Sequence, residues 1–220
     1  MSAAVPMRRR LLVDYLRTVI GVRDERVLEA VSAVPREAFV PPSLFPQAYE
    51  DFPLEIGEGQ TISQPSVVVR MTELAAVGER DRVLEIGAGS GYQVAVLAHL
   101  ARFVFAVERL PRLAEGARGR LHQLGFRNVS IQVMDGTLGW RAQAPFDAII
   151  VSAAAPAVPQ ALKDQLVDGG RLVIPVGDLR RQELHRVVRR GATFEQTTHG
   201  SVTFVPLVGR EGYANGLPQA

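Results

Sequence analysis

The sequence predicts an α/β fold, in which a mostly parallel seven-stranded sheet carries helices on both faces and follows a helical and irregular N-terminal extension. Three observations support this prediction. From residue 65 onward, short apolar runs alternate with helical patterns, as expected for parallel strands joined by right-handed crossovers. A glycine-rich turn directly follows the first apolar run. Before residue 65 the chain is helical and then rich in proline, with little periodicity.

The first 35 residues are predicted to be helical. Asp24 is the predicted N-cap of a helix, and the apolar residues after it repeat at the spacing of one helix face: Val27, Leu28, Val31 and Val34. Between Pro35 and Gln64, several prolines interrupt a segment without clear periodicity. Irregular segments of this length are uncommon in compact domains and are often functional. We therefore expect this segment to contribute to a site.

The remaining elements follow one another regularly. The predicted strands of the parallel part are 82–86, 103–107, 129–133, 147–151 and 171–176. Four helices are predicted in this part. The first begins at Pro65, and the others cover 92–100, about 111–124 and 158–166. Two further runs, 183–190 and 201–208, are separated by a short polar segment, which is typical of an antiparallel pair at one edge of a sheet.

The composition excludes several classes of protein. With 220 residues, 47% of them hydrophobic and 22% charged, the chain has the balance of a single globular domain. It contains no cysteine, which excludes disulfides and thiolate chemistry. The net charge is only +2, no basic stripe is interleaved with aromatic residues, and no apolar run reaches the roughly 18 residues of a membrane span. We expect a cytoplasmic monomer that binds neither nucleic acid nor membrane.

The glycine-rich turn is the strongest signal in the chain. It follows the strand that ends at Ile86 and places glycine at alternate positions, Gly87, Gly89 and Gly91, before a helix. Glycine lets a ligand approach the backbone, so we expect a ligand over this turn at the carboxyl ends of the strands. Tyr92 stands where a dinucleotide fingerprint requires glycine, and no Gly-Lys-Ser/Thr sequence of a P-loop is present.

The pattern of Glu85 followed by the three alternating glycines resembles the first motif of class I methyltransferases, which have a Rossmann-like fold. The resemblance implies that the turn approaches the amino-acid part of S-adenosyl-L-methionine and that Glu85 lies near its ammonium group. Glu108 ends the second strand, where a carboxylate can accept both ribose hydroxyls. Asp135 and Gly136 follow the third strand, within reach of the adenine edge.

More specific motifs resemble those of protein-L-isoaspartate O-methyltransferases. Their order and spacing match over the region from about Arg36 to Gly209. The matching segments are 36–41, 48–65, 135–140, 144–151, 165–166, 169–170, 175–177 and 204–207. The substrate of this family is the free α-carboxylate of an L-isoaspartyl residue in a damaged protein or peptide. Methylation produces an ester that collapses to a succinimide, and hydrolysis of this ring returns some normal aspartate.

The resemblance also implies roles for individual residues. A carboxylate with a pKa near 4 is already ionised at neutral pH, so the reaction requires no general base, and no metal is expected. Ser63 matches the active-site serine of the family and is predicted to orient the substrate carboxylate. Its alternative role is that of an N-cap for the helix beginning at Pro65. Thr61 and Ile62 are predicted to lie against the cofactor, which leaves as S-adenosyl-L-homocysteine.

These expectations define one methyltransferase domain, residues 1–220. Residues 1–64 are expected to form the helical and substrate-cleft extension, residues 65–209 the cofactor-binding core, and residues 210–220 a flexible tail. Two alternatives remain open. A specialised relative could methylate aspartate in one dedicated peptide, and such enzymes share the core motifs. A non-catalytic interaction protein that binds S-adenosyl-L-methionine is the other alternative, which the presence of Ser63 and of the three acids disfavours.

Overall fold

The N-terminal extension forms a helical layer on one face of the sheet. In the computed structural model, which describes residues 4–178 and 180–214, α1 (Ala4–Tyr15) continues into a π-helical turn and α2 covers Glu25–Ala33. Asp24 caps α2 as predicted, because its Oδ1 accepts a hydrogen bond from the backbone N–H of Arg26 at 3.0 Å. No helix in these two ranges has the length and apolar character needed to cross a membrane.

The segment from Pro35 to Gln64 is less irregular than the sequence predicts. It contains two short 3₁₀ turns and an antiparallel hairpin of β1 (Leu54–Gly57) and β2 (Gln60–Ile62). The sequence analysis missed this hairpin because its strands are too short to show alternation between apolar and polar residues. Helix α3 (Pro65–Ala75) then begins with Pro65 in its first turn, as predicted.

The rest of the chain forms the predicted seven-stranded sheet. Its strands lie in the order β5-β4-β3-β6-β7-β8-β9, and β3 to β7 are parallel, whereas β8 and β9 are antiparallel to their neighbours. The strands are β3 (Arg82–Ile86), β4 (Phe103–Glu108), β5 (Val129–Val133), β6 (Phe146–Val151), β7 (Leu166–Gly177), β8 (Gln182–Arg190) and β9 (Thr193–Val202). The helices between them are α4 (Tyr92–Leu100), α5 (Pro111–Gln123) and α6 (Gln160–Asp164).

Alternate side chains of the central strands enter two cores on opposite faces of the sheet. Val83 of β3 packs with the N-terminal helices and with α3, α4 and α5, whereas Leu84 and Ile86 pack on the face of α6. All three side chains are buried. A strand that is apolar on both sides is typical of a parallel sheet covered by helices, and this explains why the sequence located β3 accurately.

The structure corrects three boundaries in the C-terminal third. The predicted helix 158–166 is only the short α6, because β7 begins at Leu166 and includes Asp168–Gly170. The last strand is β9 rather than 201–208, since the polar segment interpreted as a connection is itself the edge strand. The predicted tail begins too early, because Tyr213 is buried and its hydroxyl donates to the carbonyl of Gly177. Residues 215–220 of that predicted tail lie outside the described residues.

Candidate active site

Three adjacent cavities, which share Thr61 and Ser152 in their walls, lie at the carboxyl ends of the central strands. The strand order runs outward from β3 in both directions, to β4 on one side and β6 on the other, and α/β sheets bind ligands in the crevice at such a switch point. The outer pocket is lined by the glycine turn, the end of β4, Gly136 and residues 205–208. The inner pocket is lined by residues 61–63, Glu85 and the glycine turn. The surface cleft, of 620 Å³, opens beside Ser63.

The glycines of the turn have different structural roles. Gly87 and Gly89 line both pockets. Gly91 lines neither pocket in the structure; its φ of 93° begins α4, and a Cβ there would lie 3.2 Å from the Cβ of Ala117 on α5. The contribution of Gly91 is therefore to let two helices pack closely, while the other two glycines form the pocket surface.

Glu85 is a buried carboxylate with one unsatisfied oxygen. Its side chain is 1% exposed, Oε1 accepts a hydrogen bond from Ser152 Oγ at 3.1 Å, and Oε2 has no hydrogen-bond partner among the residues that the structure describes. Burial raises the pKa of Glu85 well above its ordinary value; the Ser152 hydrogen bond opposes this increase and the nearby Glu108 adds to it. A cationic group bound in the inner pocket would satisfy Oε2 and stabilise the ionised carboxylate.

Glu108 lines the outer pocket, at the end of β4 as the sequence predicts, and it also accepts hydrogen bonds from the backbone of the pocket wall. Its Oε2 accepts a hydrogen bond from the backbone N–H of Gly89, and its Oε1 accepts one from the backbone N–H of Leu110, both at 2.9 Å. A carboxylate can accept about four hydrogen bonds. Each oxygen of Glu108 can therefore still accept a hydroxyl from a bound ribose.

Both carboxylate oxygens of Asp135 are engaged by hydrogen bonds from protein groups. Its Oδ1 accepts hydrogen bonds from the backbone and the hydroxyl of Thr137, at 2.9 and 2.7 Å, and its Oδ2 accepts one from the backbone N–H of Arg210 at 2.9 Å. Partial burial opposes ionisation of Asp135, but these hydrogen bonds lower its pKa. Asp135 does not line the outer pocket, although Gly136 does. The structure therefore shows Asp135 anchoring the loop that presents Gly136.

Replacing Gly136 with alanine is expected to damage the outer pocket. A Cβ at this position would lie 2.5 Å from Cγ2 of the buried Ile86, so β3 or the loop must shift, at a cost of about 1–3 kcal/mol in the free energy of unfolding. Urea denaturation and calorimetric titration with S-adenosyl-L-homocysteine would measure both effects. In Gly119→Ala, the matched control on α5, the new Cβ meets no atom within 4 Å, and stability should rise. Equal behaviour of the two variants would contradict this prediction.

The hairpin places the three predicted residues 61–63 over the glycine turn. Thr61 lines all three cavities, Ile62 is buried and lines the inner pocket, and Ser63 lines both the inner pocket and the surface cleft. Ser63 does not cap α3. Asp51 does so instead, since its Oδ1 accepts a hydrogen bond from the backbone N–H of Ser66 at 2.8 Å. In the described part of the chain, the Ser63 hydroxyl makes no hydrogen bond and is available to a ligand.

Arg36 is a site residue that the sequence analysis did not single out. Its side chain is fully buried, and its Nε and Nη2 donate to the carbonyls of Ala48 and Ser63 at 2.8 and 2.7 Å. The guanidinium also lies 4.6 Å from the ring centroid of Tyr92, the first residue of α4. Arg36 thus fixes the backbone of Ser63 to the helix that follows the glycine turn. The burial of a single arginine cannot be inferred from sequence, since arginine is mostly exposed. The only sequence feature that pointed to Arg36 was its position in the matching segment 36–41.

The described residues contain no group of three or more histidine, aspartate or glutamate side chains arranged to hold a metal ion. The surface cleft is lined by uncharged residues, among them Gln64, Val67, Ser201 and Phe204. An uncharged cleft that leads to the Ser63 hydroxyl suits an extended peptide with one reacting group.

Comparisons with known proteins agree with this geometry. The sequence profile described as protein-L-isoaspartate (D-aspartate) O-methyltransferase matches residues 7–212. The chain is 53% identical over 207 residues to protein-L-isoaspartate O-methyltransferase 2 of Marinobacter nauticus, covering 93% of this chain and 94% of that protein. It is 55% identical over 201 residues to the protein-L-isoaspartate O-methyltransferase of Cronobacter sakazakii, covering 91% of this chain and 96% of that protein.

Solved structures show the same relationship. A protein-L-isoaspartate O-methyltransferase superimposes with a TM-score of 0.83 at 30% identity, covering 93% of this chain and 67% of that one. A Plasmodium falciparum protein, in complex with S-adenosyl-L-homocysteine, has the same fold, with a TM-score of 0.80 at 24% identity and coverage of 91% and 98%. The Rossmann-like class I methyltransferase fold predicted from the sequence is confirmed. The chain belongs to the protein-L-isoaspartate (D-aspartate) O-methyltransferase family.

Proposed function

We propose that this protein transfers a methyl group from S-adenosyl-L-methionine to the α-carboxylate of L-isoaspartyl residues in damaged proteins and peptides, and so initiates their repair through a succinimide. The observation that carries this proposal is the position of Ser63, whose hydroxyl lies where the inner pocket opens into the uncharged surface cleft. Membership of the family supports the choice of substrate.

The residues of the two pockets fit this cofactor. The unpartnered Oε2 of Glu85 would receive the ammonium group, and Glu108 would accept the ribose hydroxyls. Gly87 and Gly89 would contact the amino-acid part, while Gly136 leaves space for the adenine. Thr61 and Ile62 would cover the cofactor from the hairpin. We assign Asp135 and Gly91 supporting roles, in loop anchoring and helix packing respectively.

The protein's own contribution to the reaction is positioning. When bound, S-adenosyl-L-methionine supplies an electrophilic methyl group and leaves as S-adenosyl-L-homocysteine. The substrate carboxylate is ionised at neutral pH, so no side chain has to remove a proton from it. Ser63 donates one hydrogen bond to a carboxylate oxygen and orients the other oxygen toward the inner pocket. Holding the two reacting groups in line in this way accounts for a large part of the rate enhancement of such reactions.

The hairpin contributes by excluding water. Ile56 Cδ1 would lie 3.3 Å from a Cβ at Gly89, which shows how closely β1 covers the glycine turn. We propose that residues 1–64 supply this cover and the cleft wall, and that residues 65–209 hold the cofactor.

A transfer assay with labelled S-adenosyl-L-methionine tests the proposal. Matched peptides would carry either isoaspartate or normal aspartate, and base-labile methyl ester is expected on the isoaspartyl peptide alone. Ser63→Ala should lower kcat by about 10²-fold, comparable to the loss of one donor that orients an oxyanion. Ser66→Ala is the control, because Ser66 is buried nearby and lines none of the three cavities.

Each result decides between functions. Transfer to the isoaspartyl peptide, together with a selective defect in Ser63→Ala, supports the proposal. No transfer to either peptide by a protein that still binds S-adenosyl-L-homocysteine would exclude general repair and favour a dedicated peptide substrate. Equal rates in the two serine variants would exclude the role of Ser63.

A further inference from the structure

We infer that the outer end of the surface cleft binds an acidic side chain of the substrate, two or three residues from the isoaspartyl residue, through Arg70 and Arg186. This inference rests on the proposed function, because it concerns the peptide on which that function acts. It assigns a charge preference to a cleft whose lining residues are themselves uncharged.

Arg70 continues the wall of the cleft along α3. Gln64 and Val67 line the cleft, and Arg70 lies three residues after Val67, so the two side chains are neighbours on the surface of α3. The Arg70 guanidinium reaches across to β9, where it donates to the carbonyl of His199. This carbonyl lies two residues before Ser201, which lines the opposite wall. Arg70 therefore spans the end of the cleft while its side chain stays exposed.

Arg186 lies on the same face of the sheet. It pairs with Thr197 across β8 and β9, and its Nε donates to the carbonyl of Leu74 on α3 at 2.8 Å. The ring of His199 contacts the Thr197 hydroxyl at 2.9 Å. Partial burial lowers the pKa of His199, and the positive charges of Arg70 and Arg186 lower it further. The two arginines thus act together on one small region of the surface.

Neither arginine is neutralised by a neighbouring acid. Among the residues that the structure describes, no carboxylate lies within 4.0 Å of Arg70 or Arg186, whereas Arg171 pairs with Asp81 at 2.6 Å. Glu73, on the same helix, is engaged elsewhere, since its Oε1 accepts the backbone N–H groups of residues 23 and 24. Arg70 is exposed and Arg186 is half-buried, and two cations beside a peptide cleft attract an anionic side chain and repel a cationic one.

The spacing along the helix indicates which substrate positions are affected. Arg70 lies five residues beyond Pro65, or about 7.5 Å along the helix axis. An extended peptide advances about 3.3 Å per residue. A peptide that runs alongside α3 from its Pro65 end, next to Ser63, would therefore bring a side chain two or three residues from the isoaspartyl residue to the Arg70 guanidinium.

Steady-state kinetics on a set of isoaspartyl peptides tests the inference. The peptides would share one length and carry glutamate, glutamine or lysine at the second and third positions, either before or after the isoaspartyl residue. On one of the two sides, the wild-type kcat/KM should be about three- to tenfold higher for glutamate than for lysine, as expected for partly exposed ion pairs. The difference should shrink as salt is added.

Two substitutions assign the preference to the cleft. Arg70→Gln should lower the glutamate-to-lysine ratio, and Arg70→Glu should bring it to nearly one, because Arg186 keeps its positive charge. Arg80→Gln replaces an exposed arginine just before the amino-terminal end of the central strand β3 and should leave the ratio unchanged. Equal rates for all peptides, or an unchanged ratio in Arg70→Glu, would overturn the inference. The glutamine peptide separates the two hypotheses, since its methylation would uphold the proposed function even if the charge preference were absent.

Discussion

Glu85→Gln is expected to weaken cofactor binding strongly without destabilising the protein. The substitution removes the negative charge proposed to receive the ammonium group, and a charge-assisted hydrogen bond contributes about 1.5–3 kcal/mol, equivalent to a roughly 10- to 100-fold increase in Kd. Isothermal titration with S-adenosyl-L-homocysteine would measure this change. Glu115→Gln, at an exposed position on α5, is the matched control and should bind normally.

The pH dependence of stability separates this role from a structural one. The pKa of Glu85 is raised in the folded protein, so folding binds a proton and the protein without cofactor loses stability as the pH rises above the ordinary carboxyl range toward the folded-state pKa. Glu85→Gln should flatten this decline, measured by urea denaturation between pH 5 and pH 8. Cofactor affinity should rise with pH in the wild type, because the ammonium group favours the ionised carboxylate. A Kd within threefold of the wild-type value would contradict the assignment of Glu85.

Arg36→Met is expected to reduce both stability and turnover. The substitution leaves the carbonyls of Ala48 and Ser63 without their donors, and an unsatisfied buried acceptor costs about 1–3 kcal/mol. We expect the free energy of unfolding to fall by about 2–4 kcal/mol. We also expect kcat to fall by about 10²-fold, because a displacement near 1 Å of a positioning group has an effect of that size.

A conservative variant and a surface variant complete this experiment. Arg36→Lys keeps the charge but can satisfy only one of the two carbonyls well, so kcat should recover less than stability does. Arg17→Met removes an arginine that contacts Asp14 and Glu25 at the surface and should change neither quantity appreciably. If Arg36→Met retained the wild-type kcat, Arg36 would not position Ser63.

The accuracy of the sequence predictions followed the strength of the local pattern of apolar residues. β3 and α4 were located to the residue because each is largely apolar and is bounded by glycine, and β5 was located to the residue because its apolar and polar residues alternate. β9 was misplaced because it is an exposed edge strand, and its polar residues resemble those of a connection. Exposed edges carry little of the hydrophobic signal on which such predictions depend.

The candidate site was predictable wherever a residue type has few alternative uses. Gly87, Gly89, Glu85 and Glu108 line the predicted pockets because glycines and acids at the ends of parallel strands are expected there. The hydrogen bond that Asp135 accepts from the backbone N–H of Arg210 could not be predicted, since the two residues are 75 positions apart in the sequence. Hydrogen bonds between such distant positions depend on the tertiary fold rather than on local sequence.

The location of Ser63 before the first strand of the main sheet has a consequence for synthesis. Its segment leaves the ribosome ahead of all the strands with which it acts, since chains emerge from the N-terminus. Arg36 can contact the Tyr92 ring only after α4 has been synthesised. Residues 201–205, which form one wall of the cleft, are synthesised more than a hundred residues later. A nascent or truncated chain that ends before this wall therefore carries the serine without a cleft to hold a peptide. Methyl transfer becomes available only when almost the whole chain has been synthesised and folded.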